Sequence, residues 1–374
     1  MTVLISDSRR ALGDSLASIL DTFLTDADLA RGLFIKPNIV FPVKPASGEI
    51  TSPVLVSALV SALRERRPGI DIVLGEGVAA GCDPQENFKV SGYTELAHAL
   101  NVPLLDLHNV ERQAVPWKFG SLELPRVALE RTYINLPILK PSSACVVSGA
   151  LKNQKGLVLP EIKKRFHCLG LHEQLAELNA VLKPALTILD GSRFFGPKVL
   201  ISGDNCGEID ATVCDALGIE EPAHVRLSRE CAVFAPGFRI EGPRLRNKQD
   251  SSELRPRPSK QLGRLRLWSN PRACTMCRYL FHEIRQDALT PRNLRAKAKL
   301  LEYGITGTEI LMGSRAEWQK EYGNVLCVGN CTRSVARRGG YVYIPGCPPT
   351  LQDLYDNLLR ENRTERPTGK GSES

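Results

Sequence analysis

Short apolar runs alternate with longer stretches of helical spacing along the first two hundred residues. Val3 to Ser6 reads as a strand, Ala11 to Phe23 places its apolar residues at helical intervals, and Leu33 to Ile35 is a strand running into Lys36-Pro37-Asn38. The stretch TSPVLVSALVSALRERRPG predicts a helix that Ser52 can cap, that Pro53 suits at its first position, and that Pro68-Gly69 stops. Asp71 to Leu74 returns as a strand ending in Gly75-Glu76-Gly77. Tyr93 to Leu100 is helical, Leu104 to Leu107 strand-like, and Trp117 to Leu124 has the look of a hairpin around Gly120-Ser121. Arg131 to Leu139 is a strand ending at Lys140, His172 to Leu182 a helix, and Ala185 to Leu189 a strand ending at Asp190-Gly191. Such βαβ alternation predicts an α/β fold with a mainly parallel, Rossmann-like sheet covered by helices.

The same grammar reappears near the C-terminus on a smaller scale. Glu309 to Met312, Val325 to Val328 and Tyr341 to Ile344 read as strands, and Arg315 to Glu321, Thr332 to Arg337 and Leu351 to Leu359 as helices. Between the two regions, Phe238 to Leu267 is rich in Pro, Ser and Arg and weak in periodicity, as a linker or extended arm would be. The expected organisation is an α/β domain over residues 1–232, a basic connector over 233–268, a smaller α/β cysteine domain over 269–362, and a flexible polar tail over 363–374. No fixed-period repeat and no P-loop signature is present.

Charge sharpens this division. The 374 residues carry a net charge of +8, yet Val225 to Leu300 alone has 18 Lys and Arg against 6 Asp and Glu. That surplus of twelve leaves the remainder at −4. A charge run of this kind is a solvated linker or a docking element for an acidic redox-partner protein or an anionic small molecule. Nucleic acid is not expected, because no recognition motif accompanies the charge and aromatics are only 6%. No run approaches the ~20 apolar residues of a membrane span. The N-terminus lacks the apolar region of a secretory signal, so a cytoplasmic location with reduced thiols is expected for the eleven cysteines.

Four of those cysteines suit a metal or iron–sulfur centre. Cys274 and Cys277 form the close pair of CTMC, Cys331 follows in VGNCT, and Cys347 closes the set in IPGCPP. Cys331 falls just after one expected strand and Cys347 just after the next, which in a parallel sheet puts both at the carboxyl edge where ligands are held. A helix beginning near Cys331 would favour thiolate there. Structural zinc is the rival, although its usual knuckles come as two close pairs. Cys327 lies inside the apolar strand and is expected to pack, with its spacing from Cys331 keeping it as a reserve ligand. Cys145, Cys206, Cys214 and Cys231 have apolar or small neighbours and read as small buried hydrophobes. Cys82 and Cys168 are unassigned. The GEGVAAG of Gly75 to Gly81 follows a strand but lacks the spacing and ribose-binding acid of a dinucleotide loop.

The ordered set KPNIV (Lys36 to Val40), TSPVLVSALV, LPILK (Leu136 to Lys140), SGALKNQKGLV (Ser148 to Val158), Arg165 to His167, ILDG (Ile188 to Gly191) and IDATVCDALGI (Ile209 to Ile219) resembles the DUF362 domain family. The resemblance spans about Gly32 to Arg229 and implies a redox setting, since the domain often accompanies iron–sulfur motifs. Two departures stand out: Lys140-Pro141-Ser142 replaces the family's Lys-x-His, and SRFFGPK replaces its glycine-rich loop after ILDG. IPGCPP in turn resembles the cluster-binding segment of the small subunits of NADH dehydrogenases and hydrogenases, which implies [4Fe-4S].

At the matching positions, Lys140, Lys152, Asn153, His167 and Asp190 form a candidate anionic-ligand site at strand ends and loops. The alternative is that Asn153 and Gly156 shape a turn, Lys152 and Lys155 are solvated, and Asp190 caps a helix or turn. Asp210 reads as the opening of a helix and so as an N-cap. Two functions follow. One is an iron–sulfur oxidoreductase or electron-transfer component; the other is a non-catalytic cluster-bearing or zinc-binding interaction protein.

Overall fold

The five-residue apolar runs of the first region become fully buried central strands. The computed structural model describes residues 2–6, 9–79, 82–142, 145–231, 239–247, 261–262, 265–269, 280, 284, 293–312, 324–346 and 349–360. Two units are formed, Met1–Arg255 and Pro256–Ser374.

In the first unit the strands are β1 (Thr2–Ile5), β2 (Leu33–Pro37), β3 (Ile72–Glu76), β4 (Leu104–Asp106), β5 (Arg112–Trp117), β6 (Gly120–Pro125), β7 (Thr132–Leu136), β8 (Lys140–Ser142), β9 (Val146–Ser148), β10 (Leu186–Asp190), β11 (Leu200–Gly203) and β12 (Arg239–Glu241). Eight of them form one sheet in the order β12-β1-β11-β10-β7-β2-β3-β4. Every neighbouring pair is parallel except those of β11, which runs antiparallel to both β1 and β10. β5 pairs with β6, and β8 with β9, as separate antiparallel hairpins. The expected α/β fold with a mainly parallel sheet is what the chain adopts.

β2, β3, β7 and β10 are buried at every residue, as a parallel sheet covered on both faces requires. Alternation within a strand sends successive side chains to opposite faces. Leu33 and Ile35 enter the core beneath helices Leu12–Phe23 and Pro53–Arg66, while Phe34 enters the opposite core with Tyr133, Trp117 and Phe166. Each such fully buried side chain contributes about 1.5–3 kcal/mol. Local signals set the helix ends: the Ser52 hydroxyl accepts the Val54 N–H at 3.3 Å with Pro53 at the first position.

Asp210 departs from its expected place. Its helix begins earlier, at Cys206, and Asn205 is the cap, accepting N–H bonds from Gly207 (2.9 Å) and Glu208 (3.3 Å). An apolar residue before an acid is too weak a start signal when a better capping side chain stands five positions upstream.

The second unit carries a five-stranded sheet: β13 (Gln261–Leu262), β14 (Leu265–Ser269), β15 (Thr308–Met312), β16 (Asn324–Val328) and β17 (Val342–Ile344). β14 to β17 are parallel neighbours in chain order, and β13 is antiparallel to β14. Helices Leu294–Thr306 and Leu351–Arg360 cover a core of Ile310, Met312, Leu326, Val328, Ile344, Leu354 and Tyr355. Stretches read as connector thus supply β12 to the first sheet and β13 and most of β14 to the second, because backbone pairing at a sheet edge does not need apolar periodicity. Among the described residues, no helix is long and apolar enough to cross a membrane.

Candidate functional site

The order of the first sheet locates the site. From β2 the chain proceeds outward through β3 to β4, then returns to add β7 and β10 on the other side of β2. The reversal falls between β2 and β7, and in open parallel sheets the crevice beyond the carboxyl ends at such a point is where ligands bind. Lys36 and Asn38 lie at that end of β2, Glu76 ends β3, Asn135 is near the end of β7, and Asp190 ends β10.

Lys36, Asn38, Glu76 and Asn135 form one buried network with Asn153. Lys36 Nζ meets Glu76 Oε1 at 2.7 Å, with both side chains at or below 1% exposure. Glu76 also accepts N–H bonds from Gly77 (2.8 Å) and Ile39 (3.0 Å). Asn153 spans the strand-order reversal, donating to Asn135 Oδ1 at 2.8 Å and to the Lys36 carbonyl at 3.3 Å. Its own Oδ1 accepts from Asn38 at 2.8 Å and from Lys36 at 3.3 Å. Lys140 Nζ reaches Asn38 Oδ1 at 2.8 Å and the Glu49 carbonyl at 2.5 Å. Burial lowers the Lys36 ammonium below its ordinary value against the pull of Glu76, and burial brings Lys140 down to about 8.

Glycines let the loops close over this network. A Cβ on Gly156 would lie 2.0 Å from Glu76 Oε1, and one on Gly77 would lie 2.1 Å from the Gly156 carbonyl oxygen. The glycines of GEG therefore serve close loop-to-loop packing beside Glu76. On the flank, Lys163 Nζ donates to the Gly77 and Val78 carbonyls and approaches His108 Nε2, each at 2.8 Å. Burial lowers Lys163 to about 7 and His108 to about 4, which makes the ammonium easier to neutralise and the imidazole harder to protonate than in exposed residues of their kind. Asp210 is fully enclosed too, accepting the Ala150 N–H at 2.7 Å and the Leu151 N–H at 3.0 Å. Burial raises it to about 7 against those two bonds.

Of the residues selected from sequence, Lys140 and Asn153 enter the network directly. Lys152 donates to Ser142 Oγ at 2.6 Å, two residue pairs along the β8–β9 hairpin from Lys140. Asp190 is buried at the end of β10, where its carboxylate accepts the Ser192 N–H at 2.9 Å in the manner of a cap. The side chain of His167 lies outside the described residues. Lys36, Asn38, Glu76, Asn135 and Lys163 were not singled out, although Lys36 and Asn38 stand within the KPN turn, a polar cluster directly after an apolar strand.

A second cluster was also missed. Cys145, His172 and His224 each present one ligand atom within 4.8 Å of the others, and the three could hold a metal ion. Cys145 lies in the turn between β8 and β9, and His172 and His224 lie in the first turns of helices Leu171–Val181 and Ala223–Cys231. Cys145 and His224 are buried and His172 is half-buried. The two Nδ1 atoms are 3.0 Å apart, and the His224 backbone N–H donates to His172 Nδ1 at 3.2 Å. His224 Nε2 is buried without a hydrogen-bond partner among the described residues, at a cost of about 1–3 kcal/mol. Burial lowers His224 to about 3 and raises the Cys145 thiol. Residues 27 and 52 positions apart that meet only through packing leave no sequence spacing to find.

In the second unit, Cys331 is exposed within the turn Asn330–Thr332 that follows β16 and leads into the short helix Arg333–Gly339. Cys274, Cys277 and Cys347 lie outside the described residues. The turns that precede Cys331 and Cys347 are tied together: Asn330 N–H donates to the Gly346 carbonyl at 2.8 Å, and Gly346 N–H donates to Asn330 Oδ1 at 3.0 Å. Cys327 is buried in β16 against Leu311, Val325 and Ala336.

The first unit is therefore a mainly parallel α/β domain with a network of buried polar residues at the carboxyl edge beside a strand-order reversal. Residues 33–215, from the start of β2 into helix Cys206–Leu217, match the family described as a domain of unknown function, DUF362. Comparison with curated proteins returns no match.

Proposed function

We propose that the chain is an iron–sulfur redox protein, an oxidoreductase or electron-transfer component, in which Cys274, Cys277, Cys331 and Cys347 ligate one [4Fe-4S] cluster. The observation that carries the reading is the reciprocal pair of hydrogen bonds between Asn330 and Gly346, the residues directly before Cys331 and Cys347. A ligand set drawn from distant parts of a chain needs its loops held in register, and these bonds supply that hold at the carboxyl edge of β16 and β17. The exposure of Cys331 suits ligation and electron exchange, whereas Cys327 is a packed core residue. A bound cluster supplies one-electron transfer. In the first unit, Lys140 and Lys152 provide the positive charge for an anionic ligand, with Asn153 and Asp190 orienting the surrounding loops. The basic stretch around Arg244 and Arg246 provides a docking element for an acidic redox partner in the cytoplasm.

Anaerobic purification followed by iron and acid-labile sulfide analysis tests the reading. About four irons and four sulfides per chain are expected, diminished by Cys→Ser replacement at any of the four positions and spared by Cys327→Ser. Stoichiometric zinc at these cysteines, with no iron or sulfide, would instead make the second unit a structural zinc domain and the chain an interaction protein.

A further inference from the structure

The first unit holds a group of donors that the iron–sulfur reading does not use. We propose that Cys145, His172 and His224 form a separate mononuclear site for zinc, with the fourth position of the tetrahedron left to water or an incoming ligand. The inference stands whether or not the second unit binds a cluster.

The geometry is close to what the ion needs. Zinc–nitrogen bonds of about 2.0–2.1 Å in a tetrahedron set two imidazole nitrogens about 3.3 Å apart, and the two Nδ1 atoms are already at 3.0 Å. A zinc–sulfur bond of about 2.3 Å sets sulfur about 3.6 Å from each nitrogen, so ligand atoms within 4.8 Å of one another require only small side-chain movement. One thiolate and two imidazoles are a donor set that zinc favours over the oxygen-seeking cations.

Without an ion the arrangement is poorly satisfied. A proton on one Nδ1 can make a single bond to the other, and the buried His224 Nε2 then has no partner among the described residues. Either tautomer leaves one polar atom of a fully buried ring unanswered. Ligation through His224 Nε2 would answer that atom, and ligation through Nδ1 would replace the imidazole–imidazole hydrogen bond.

The backbone is also arranged to present the cysteine. Val146, a β-branched residue, adopts a φ of +64°, a conformation such residues rarely take, and its own side chain is 39% exposed while Cys145 is 1% exposed. The strained turn aims the sulfur inward. Ser142 Oγ accepts from the Cys145 N–H at 3.2 Å and from Lys152 Nζ at 2.6 Å, so an ammonium lies one hydroxyl away from the cysteine backbone. The ammonium charge opposes, without overcoming, the burial that raises the Cys145 thiol.

The test uses the full chain, stripped of metal and titrated with zinc and with cobalt under nitrogen. One cobalt per chain is expected at this site, with a thiolate-to-cobalt charge-transfer contribution that Cys331→Ser retains and that Cys145→Ser removes in the Cys331→Ser background. Zinc affinity should fall at least tenfold in His172→Asn, a half-buried position where the fold is expected to survive. If Cys145→Ser fails to fold, the His172→Asn titration decides alone. An unchanged cobalt spectrum or zinc affinity in the folded variants, or no binding beyond that lost with Cys331→Ser, overturns the proposal and leaves an imidazole–imidazole hydrogen bond. Failure of the cluster reading would appear separately, as missing iron and sulfide.

Discussion

Replacing Glu76 with Gln tests whether the polar network at the carboxyl edge is an ion pair or a set of neutral hydrogen bonds. Glu76 receives the Lys36 ammonium and the Gly77 N–H on one oxygen and the Ile39 N–H on the other. Gln offers a single oxygen, so in either orientation its NH₂ faces a donor. With the NH₂ toward Lys36, the lysine would keep only two bonds of 3.3 Å, to the Pro37 carbonyl and Asn153 Oδ1, for a charge with no exposed surface; with the oxygen toward it, a neutral amide replaces the carboxylate. Leaving such a charge unpaired costs about 3–5 kcal/mol. Loss of its proton sets the ceiling: neutralising a lysine of ordinary pKa at pH 7 costs about 4–5 kcal/mol, and at pH 9 about 2 kcal/mol. The variant's deficit, measured by urea unfolding with circular dichroism, should therefore shrink as pH rises. The sign follows from linkage, since a lysine depressed in the folded state binds fewer protons there than when unfolded, so stability rises with pH up to its unfolded value. Adding Lys36→Met should recover at least ~2 kcal/mol, because removing both partners removes the stranded charge. A Glu76→Gln loss below about 1 kcal/mol, or a double variant equal to the sum of the singles, would show that the pair is not ionised.

Gly156→Ala places a Cβ at 2.0 Å from Glu76 Oε1 and 2.5 Å from Lys36 Nζ and should cost about 1–3 kcal/mol or more in the same assay; a neutral result would mean that the loop can shift freely. Asp210 is raised to about 7 when folded from an ordinary value of 3.8, so the folded state binds the extra proton and stability contributed by this group should fall as pH rises between about 4 and 7. Asp210→Asn should flatten that part of the profile, and an unaltered profile would assign it to other groups. Combined replacement of Arg244, Arg246, Arg255 and Arg257 with Ala should weaken association with an acidic redox partner and flatten its salt dependence; unchanged binding would make the stretch a connector alone.

The sequence by itself determined the frame. Strands such as Leu33–Pro37, Ile72–Glu76 and Leu186–Asp190 were legible because strands buried on both faces read as uninterrupted apolar runs, and helix Pro53–Arg66 because its cap and first proline are neighbours in the chain. Lys140 and Asn153 could be chosen because loops after apolar strands are where a parallel sheet exposes ligands. The tertiary structure decided which polar groups meet. Glu76 looked like part of a defective glycine loop until β2 and β3 placed it against Lys36, and Asn153 became a bridge only when β7 came to lie beside β2. The antiparallel insertion of β11 and the recruitment of β12 to the sheet edge had no local signal either, since a strand's neighbours are set by loop closure and burial across the whole domain. Cys145, His172 and His224 show the limit most plainly: each is unremarkable among its sequence neighbours, and only packing of a hairpin turn against two helix starts brings their donor atoms together.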